Sequence, residues 1–529
     1  MNERTDVSAC TRRKWYGAIA HLLAVTLLAM LCASSAFAQT AEKIAALDAY
    51  FNKALNEWKV PGFAVAIVED GEVALAKGYG MKSSANGEQV DENTLFAIAS
   101  NTKAFTAAAL AILVDEGKLS WDDRAQKHLP YFRLADPYVS QEMRVRDLLS
   151  HRSGLGTFSG DLLWYGTNYS AEEVTKRVRF LPLVGQLRAS YGYSNIMFLA
   201  AGEIIPAVTG TSFKDFVRSR ILDVLGMQRT VMSVKDLREM SNVAMPHKEI
   251  EGQWQPIDWY VWDNATAAGG IISSVSDMAK WMQLQLGLGE IGDKRIFSEE
   301  ASRTMWTPHN AFTVSKSSEE TFPSTHFRGY GLGWVLMDYL GRKVTMHGGG
   351  YDGMFSRLAL VPEENFGMVI LTNGMTGIQT ALMYKTLDTF FDGGDKDWSQ
   401  YYLERALEEK KRTAEQREKD RKARVANTAP SQPLANYSGT YGGDLYGDVN
   451  VKVEGDHLVV QFGPAKDLVG DLRHWHYDTF AITWRKEFAW FGDGKVQFLM
   501  DQHGKIVEMK IDVPNEDFWF TELEFKRKK

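Results

Sequence analysis

Strand patterns lie at both ends of a long segment whose middle is helical, and this arrangement constrains the fold most. Residues 62–81 alternate between apolar and polar side chains around an Asp-Gly turn, which predicts two antiparallel strands. Near residue 330 strand patterns return as GYGLGWVLMDY, KVTMHGGG, MFSRLALVP and FGMVILTNG. An amphipathic helix is predicted over residues 41–58, and helical stretches fill the middle. We therefore predict an α/β domain over residues 39–395, with one antiparallel sheet built from both ends and an inserted helical subdomain.

The chain changes character after residue 395. Fifteen of the 21 residues from Glu404 to Arg424 are charged, with both signs interspersed, which indicates a solvated linker helix rather than a patch for a polyanion. We place this linker and the loop after it at residues 396–433. Residues 434–529 consist of short alternating segments between turn residues, and these predict a small antiparallel β-barrel: VNVKVE, HLVVQF, KVQFLM, KIVEMKI and FWFTELEF.

The first 38 residues have the three parts of a bacterial-type signal peptide. A basic run occupies positions 12–14, LLAVTLLAMLC lies in the apolar part, and Ala-Phe-Ala at 36–38 is a small-x-small cleavage pattern. The alternative is a retained membrane anchor, but the apolar run is short and ends in a good cleavage site. We therefore expect cleavage before Gln39, by the general or the twin-arginine export route, and a periplasmic or secreted protein without a stable membrane anchor.

Composition and cysteine placement exclude several classes of protein. Cys10 and Cys32 are the two cysteines of the chain, and both lie in the leader, which leaves no cysteine nucleophile, Cys-ligated metal or disulfide after cleavage. The net charge of −7 gives no indication of a nucleic-acid partner. His474 and His476 flank Trp475 and by themselves make a poor metal site, so we predict no metal and no cofactor.

The sharpest local motif is Ser-x-x-Lys, formed by Ser100 and Lys103 at the start of a nearly uncharged helix, ASNTKAFTAAALAILVDEGK. A helix with so little polar surface is predicted to be buried. A residue one turn further along lies on the same face, so the lysine can reach the serine hydroxyl. Serine is a poor nucleophile without a base beside it, and a lysine can be that base when burial lowers its pKa. The alternative is a capping serine with a lysine that extends to solvent.

Further motifs follow in order along the chain. Tyr193-Ser194-Asn195 gives Tyr-x-Asn, and His347-Gly348-Gly349 follows a strand. With FAIASNTKAFTA, LLSHRSGL, YGYSN, AAGGIISSVSDMAKW and HGGGYDG, the chain resembles the serine hydrolase superfamily of class C β-lactamases, DD-peptidases (penicillin-binding proteins), D-aminopeptidases and family VIII esterases over about residues 41–390. The tail looks like the lipocalin-like barrels of similar hydrolases, which place a barrel loop at the cleft to limit substrate size.

The resemblance implies a role for each matching position. The acylated nucleophile and its proton-transfer partners would be Ser100, Lys103 and Tyr193. Substrate would be held by Asn195, His347, Gly348 and Gly349. The backbone N–H groups of Ser100 and Gly350 would form the oxyanion hole. His151, in LLSHRSGL, is expected to be a turn residue that frames the site.

The chain departs from the β-lactamase pattern at His347, where those enzymes usually have lysine. Imidazole loses most of its charge above pH ~6.5, so a hold on a substrate carboxylate would weaken as pH rises. We therefore rank peptide or amide hydrolysis first, ester hydrolysis second and β-lactam hydrolysis third. A penicillin-binding sensor that is acylated without turnover, and a barrel that binds a hydrophobic ligand independently, are the remaining alternatives.

Overall fold

The computed structural model describes residues 38–529, so the predicted leader, apart from its last residue, lies outside the described residues. The helices are α1 (38–58), α2 (Thr102–Asp115), α3 (Ala125–His128), α4 (Pro137–Glu142), α5 (Val145–Leu148), α6 (Ala171–Arg177), α7 (Asn195–Thr209), α8 (Phe213–Val217), α9 (Asp223–Leu225), α10 (Thr266–Gly269), α11 (Val275–Leu286), α12 (Glu299–Met305), α13 (Lys316–Thr321), α14 (Ile378–Phe391), α15 (Trp398–Lys422) and α16 (Leu434–Tyr437). The strands before the linker are β1 (Gly62–Glu69), β2 (Glu72–Gly80), β3 (Phe96–Ala97), β4 (His247–Ile250), β5 (Gln253–Pro256), β6 (Ile272–Ser273), β7 (Glu290–Ile291), β8 (Lys294–Arg295), β9 (Asn310–Phe312), β10 (Arg328–Tyr330), β11 (Val335–Tyr339), β12 (Arg342–Tyr351), β13 (Met354–Val361) and β14 (Phe366–Thr372).

An eight-stranded antiparallel sheet joins the two ends of the first domain, in the order β2-β1-β14-β13-β12-β11-β10-β9. Strand β1 pairs along its length with β14, from Phe63 opposite Thr372 to Glu69 opposite Phe366. The predicted fold is confirmed. The prediction of one strand over 329–339 is wrong, because the chain turns between β10 and β11. There Gly333 adopts φ +78°, and a Cβ on it would lie 2.7 Å from the Lys103 carbonyl oxygen.

Helices cover both faces of this sheet. Alternate residues of β1 point to opposite faces, so Phe63 and Val65 pack with α1 and α14, while Ala64 and Ala66 pack with α2 and α11. The prediction that α2 is buried is confirmed, since its side chains from Thr102 to Leu113 are all buried. Among residues 38–529, no single helix is long and apolar enough to cross a membrane; α7 and the segment Phe213–Leu225 meet that test only as a pair bent by 80°.

The C-terminal part is a closed eight-stranded antiparallel barrel, as predicted. Its strands are β15 (Gly439–Gly443), β16 (Gly447–Glu454), β17 (His457–Phe462), β18 (Val469–His476), β19 (Thr479–Trp484), β20 (Gly494–Met500), β21 (Ile506–Asp512) and β22 (Phe525–Arg527). The prediction of a strand over 518–525 is wrong, since only its last residue belongs to β22. The aromatic side chains there pack between domains: the Phe518 ring lies 4.2 Å from that of Tyr165.

Polar contacts attach the barrel to the first domain. The Glu522 carboxylate accepts hydrogen bonds from the Ser159 hydroxyl at 2.6 Å and from the Gly160 N–H at 2.8 Å. The Tyr169 hydroxyl donates to the Tyr446 carbonyl oxygen at 2.6 Å. The long helix α15 leads from the sheet to the barrel, and most of its side chains are exposed, as expected for a charged linker.

Candidate active site

Ser100 lies in a single 3-10 turn, Ala99–Asn101, immediately before α2. Ala99 has φ +47°, a conformation that residues with a Cβ adopt at a cost. Two hydrogen bonds to the preceding residue stabilise this turn. The Ile98 carbonyl oxygen accepts them from the Ser356 hydroxyl at 2.7 Å and from the Asn101 N–H at 3.1 Å. No side chain caps α2, so the capping interpretation of Ser100 is wrong and its hydroxyl is available for chemistry.

Lys103 is fully buried beneath Ser100. Its Nζ donates to Ser100 Oγ at 2.9 Å, to Asn195 Oδ1 at 2.7 Å and to the Ala268 carbonyl oxygen at 2.9 Å. Burial lowers the pKa of Lys103 to about 7, and the nearby Asp161 carboxylate limits the fall. A neutral amine in this position keeps two donors for Asn195 and Ala268 and turns its lone pair to the Ser100 hydroxyl.

Asp161 is a member of the site that the sequence interpretation missed. It is buried, and it accepts hydrogen bonds from Asn195 Nδ2 at 2.6 Å and from Trp164 Nε1 at 2.9 Å. Burial raises the pKa of Asp161 above its usual value, while these hydrogen bonds and the Lys103 charge oppose the rise and favour the carboxylate. Nothing in the local pattern Ser-Gly-Asp-Leu-Leu-Trp marks this acid, because its contacts with Asn195 and Lys103 join separate segments of the chain.

Tyr193 completes the group around Ser100. Lys103 Nζ lies 4.8 Å from the centre of its ring, and the His151 ring packs 4.1 Å away between centroids. Burial raises the pKa of the Tyr193 phenol well above its usual value, while an interaction with Ser100 lowers it, so the hydroxyl carries its proton. The Ser194 N–H donates to Nδ1 of the buried His151 at 3.0 Å, so this imidazole frames the site, as expected.

His347 is neutral, which corrects the expectation of an imidazole that titrates near pH 6.5. Burial and the Lys103 charge lower the pKa of His347 to about 3. Its Nδ1 lies 2.5 Å from the Gly348 carbonyl oxygen and its Nε2 lies 2.7 Å from the Tyr330 hydroxyl. A carbonyl oxygen can only accept, so these partners assign the proton to Nδ1, and Tyr330 donates to Nε2.

One cleft brings the sequence-predicted residues together. Its volume is about 340 Å³, and it is lined by Ser100, Tyr193, Asn195, His347, Gly348, Gly349 and Gly350. The barrel contributes Trp490, Asp517 and Phe518, which the sequence analysis did not single out. A Cβ on Gly350 would lie 2.7 Å from the Trp490 ring, so the barrel loop reaches the glycine-rich end of β12. His474 and His476 lie on β18, and neither lines the cleft.

Comparisons with known proteins place this chain in a family. A family model described as Beta-lactamase matches residues 47–389, and one described as a domain of unknown function (DUF3471) matches residues 423–527. Unguisins hydrolase ungD' of Aspergillus campestris is 31% identical over 423 residues, which cover 75% of this chain and 75% of the relative. Protein flp of Staphylococcus aureus is 25% identical over 335 residues, which cover 62% of each chain.

Two solved structures show the same fold. The octameric penicillin-binding protein homologue from Pyrococcus abyssi superposes with a TM-score of 0.60 at 23% identity and covers 92% of this chain and 100% of that one. The D-amino acid amidase from Ochrobactrum anthropi SV3 gives a TM-score of 0.54 at 24% identity, over 66% of this chain and 99% of that one. With the family match over residues 47–389 and a hydrolase aligned over 75% of its length, the chain belongs to the Beta-lactamase family of serine hydrolases.

Proposed function

We propose that this protein is an exported serine peptidase or amidase that cleaves small or D-amino-acid-containing peptides through an acyl-enzyme on Ser100. The observation that carries the proposal is the 2.9 Å contact between Ser100 Oγ and Nζ of the buried Lys103. With a pKa of about 7, Lys103 is neutral in a large fraction of molecules at neutral pH and can accept the serine proton.

Acylation follows from this geometry. Neutral Lys103 takes the hydroxyl proton while Ser100 Oγ bonds to the substrate carbonyl carbon, and the backbone N–H groups of Ser100 and Gly350 stabilise the resulting oxyanion. The Tyr193 hydroxyl gives its proton to the leaving nitrogen as the C–N bond breaks, and Lys103 returns a proton to Tyr193. The products are an acyl ester on Ser100, a free amine and a neutral Lys103.

Deacylation uses the same groups with water. As water oxygen bonds to the acyl carbon, its proton passes to Tyr193 while the phenol proton passes to Lys103. Lys103 then protonates Ser100 Oγ as the ester C–O bond breaks, which releases the acid. The network from Asp161 through Asn195 holds Lys103 in place during both steps.

The barrel side of the cleft supports a small substrate with a cationic end. Trp490 and Phe518 limit the space opposite Ser100. Asp517 faces the same cleft, and although burial raises the pKa of Asp517 to about 6, it is mostly ionised at pH 7. An ionised carboxylate there favours an ammonium group, such as the free amino end of a short peptide or amino acid amide. The fold-level neighbour described as a D-amino acid amidase agrees in substrate class.

The test is covalent labelling followed by turnover. A fluorophosphonate probe is expected to add to Ser100, as located by mass spectrometry, and Ser100→Ala is expected to abolish both labelling and amide hydrolysis. Labelling that persists in Ser100→Ala would contradict the proposal. D-amino acid amides, p-nitrophenyl butyrate and nitrocefin, assayed side by side, separate amidase from esterase and β-lactamase. A burst without steady turnover on all three would indicate an acylated sensor instead.

Export is the part of the proposal that rests on residues 1–38 alone. Expression of the full chain in a Gram-negative host, with cell fractionation and N-terminal sequencing, tests it. The expected mature protein begins at Gln39 and is found outside the cytoplasm. A membrane-bound protein that retains its first residues would indicate an anchor.

A further inference from the structure

The loop of residues 157–161 lies against the segment that carries Tyr193. The Phe158 N–H donates to the Tyr193 carbonyl oxygen at 2.7 Å, and the Tyr193 N–H donates to the Thr157 hydroxyl at 3.2 Å. Both main-chain polar groups of Tyr193 are therefore bonded to this loop, so the position of the phenol depends on the position of the loop.

The same loop ends in Asp161, through which it reaches the nucleophile. Asp161 accepts from Asn195 Nδ2 at 2.6 Å, and Asn195 Oδ1 accepts from Lys103 Nζ at 2.7 Å. Lys103 Nζ donates in turn to Ser100 Oγ at 2.9 Å. Three consecutive hydrogen bonds thus connect the loop to Ser100, and a displacement of the loop would disturb the base as well as the phenol.

The backbone of this loop is unfavourable by itself. Phe158 has φ +62°, a region that a phenylalanine adopts at a cost, and Gly160 has φ +79°. Such a conformation persists when contacts from outside the segment hold it. The contacts that hold residues 157–161 are therefore part of what positions the site.

Glu522 of the barrel supplies two of those contacts. It ends the 3-10 turn Phe520–Glu522, and its two carboxylate oxygens accept from the Ser159 hydroxyl at 2.6 Å and from the Gly160 N–H at 2.8 Å. Burial raises the pKa of Glu522, these two hydrogen bonds oppose the rise, and no cationic group among residues 38–529 contributes. A partly buried carboxylate without a cation lowers stability, so its contribution lies in the loop that it holds.

We propose that Glu522 is a positioning residue for the reaction: through the loop 157–161 it holds Tyr193 and Asp161 in the arrangement that proton transfer at Ser100 needs. The inference rests on the proposed hydrolase function. Glu522 does not line the cleft, so it acts through other residues and not on the substrate. The barrel then contributes to the rate of the chemical step as well as to the size of the cleft.

Asp161 is the charged link between this loop and Lys103. The other titratable side chains around Lys103 are His151, His347 and Tyr193. The pKa of each histidine is lowered and that of Tyr193 is raised, so all three are neutral near pH 7. The Asp161 carboxylate raises the pKa of Lys103, so a loop that moves away from Asn195 is expected to lower it.

The test compares Glu522→Ala with Glu522→Gln on a D-amino acid amide. Glu522→Ala removes both acceptors and is expected to lower kcat about tenfold to 100-fold with little change in KM. It is also expected to move the acid limb of kcat/KM to lower pH. Glutamine has the same shape, accepts from the Gly160 N–H and donates to the Ser159 hydroxyl, so Glu522→Gln should restore most of the rate and the wild-type pH profile. Glu524→Ala, at an exposed acid two residues further along, is the matched control and should change neither.

Two further variants separate the loop contact from folding. In Asp161→Asn protein, Glu522→Ala is expected to cause no further shift of the acid limb, because the charge through which the loop acts on Lys103 is already absent. Ser159→Ala removes one of the two hydrogen bonds and is expected to give an intermediate loss of kcat, which decides the matter if Glu522→Ala does not fold. Thermal unfolding of each variant gives the folded fraction by which its rate is corrected.

Two results would overturn the inference. One is an acid limb of Glu522→Ala that stays in place or moves to higher pH, which means a structural role whatever the loss of activity. The other is Glu522→Gln as slow as Glu522→Ala, which means that the charge and not the contact matters. Both leave the proposed function intact if the fluorophosphonate labels Ser100 in the wild-type protein. Absence of that labelling refutes the hydrolase proposal itself.

Discussion

At the scale of single residues, the site contains a buried lysine, Lys103, and a buried acid, Asp161, which both form hydrogen bonds with the side-chain amide of Asn195. Asn195 accepts from Lys103 through Oδ1 and donates to Asp161 through Nδ2, which fixes the orientation of its side-chain amide. Burial moves the pKa of Lys103 down to about 7 and that of Asp161 above its usual value, and the charge of each group opposes the shift of the other. Lys103 therefore changes protonation near neutral pH, where a proton-transfer group is most effective.

The pH profile of the free enzyme should report Lys103. Because the base is the neutral amine and its pKa is about 7, kcat/KM is expected to rise as pH increases through about 7 and to level off above it. Lys103→Arg keeps the charge but cannot release its proton, so a loss of about 10²- to 10⁴-fold is expected. Lys343→Arg, at an exposed lysine outside the cleft, serves as the control and should retain activity. A wild-type profile that is flat from pH 5 to 9 would argue against Lys103 as the base.

Replacement of Asp161 should shift the pH profile of kcat/KM. The Asp161 carboxylate raises the pKa of Lys103, so Asp161→Asn is expected to move the acid limb of kcat/KM to lower pH. The maximal rate should also fall. Each carboxylate oxygen of Asp161 accepts one hydrogen bond, from Asn195 or from Trp164, and asparagine replaces one of these oxygens by an N–H₂ group that cannot accept. The matched control is Asp388→Asn, a buried acid that accepts from Trp398 Nε1 at 2.6 Å and packs on the other face of the sheet. An acid limb that does not move would exclude a charge effect of Asp161 on Lys103.

At the scale of elements, strand β12 and the turn that carries Ser100 are held in close contact by glycine. A Cβ on Gly349 would overlap the Ile98 carbonyl oxygen and would approach the Ala99 side chain to 3.0 Å. The same Ile98 oxygen is held by Ser356 from β13. The unusual backbone of Ala99 is therefore stabilised by the sheet behind it, which lets the turn present Ser100 to the cleft.

Gly349→Ala should push strand β12 away from the turn that carries Ser100. Overpacking at such a contact costs about 1–3 kcal/mol, so a lower Tm is expected together with a loss of fluorophosphonate labelling that exceeds the loss of folded protein. The matched control is Gly492→Ala, because a Cβ on Gly492 meets no atom within 4 Å. Thermal unfolding and labelling rate, measured on both variants, check the prediction. Wild-type labelling in folded Gly349→Ala would show that the contact does not position the nucleophile.

At the scale of the whole molecule, the barrel forms part of the wall of the candidate active-site cleft. Trp490, Asp517 and Phe518 close one side of the cleft, and Glu522 holds the two residues that precede Asp161. Asp517, Phe518 and Glu522 lie in residues 513–524, between the last two strands of the barrel, and Trp490 lies between β19 and β20. The barrel thus sets both the size of the cleft and the position of a catalytic-domain loop.

Removal of the Trp490 ring should widen the range of substrates. Trp490→Ala is expected to raise the ratio of kcat/KM for a bulky amide to that for a small one by about tenfold, because the ring limits the space above Gly350. Trp475→Ala, on β18 and outside the cleft, is the control and should leave the ratio unchanged. An unchanged ratio in Trp490→Ala would mean that the barrel loop moves aside when substrate binds.

The sequence alone determined the features that depend on neighbours along the chain. The alternation of β1, the apolar character of α2 and the one-turn spacing of Ser100 and Lys103 follow from local periodicity, and the order of motifs indicated the family. Only the tertiary structure decided the protonation state of His347 and the presence of Asp161 among the residues of the site. The reason is physical: protonation and binding depend on burial and on distances between residues far apart in the chain, such as Gly350 and Trp490, and these contacts exist only once the two domains pack together.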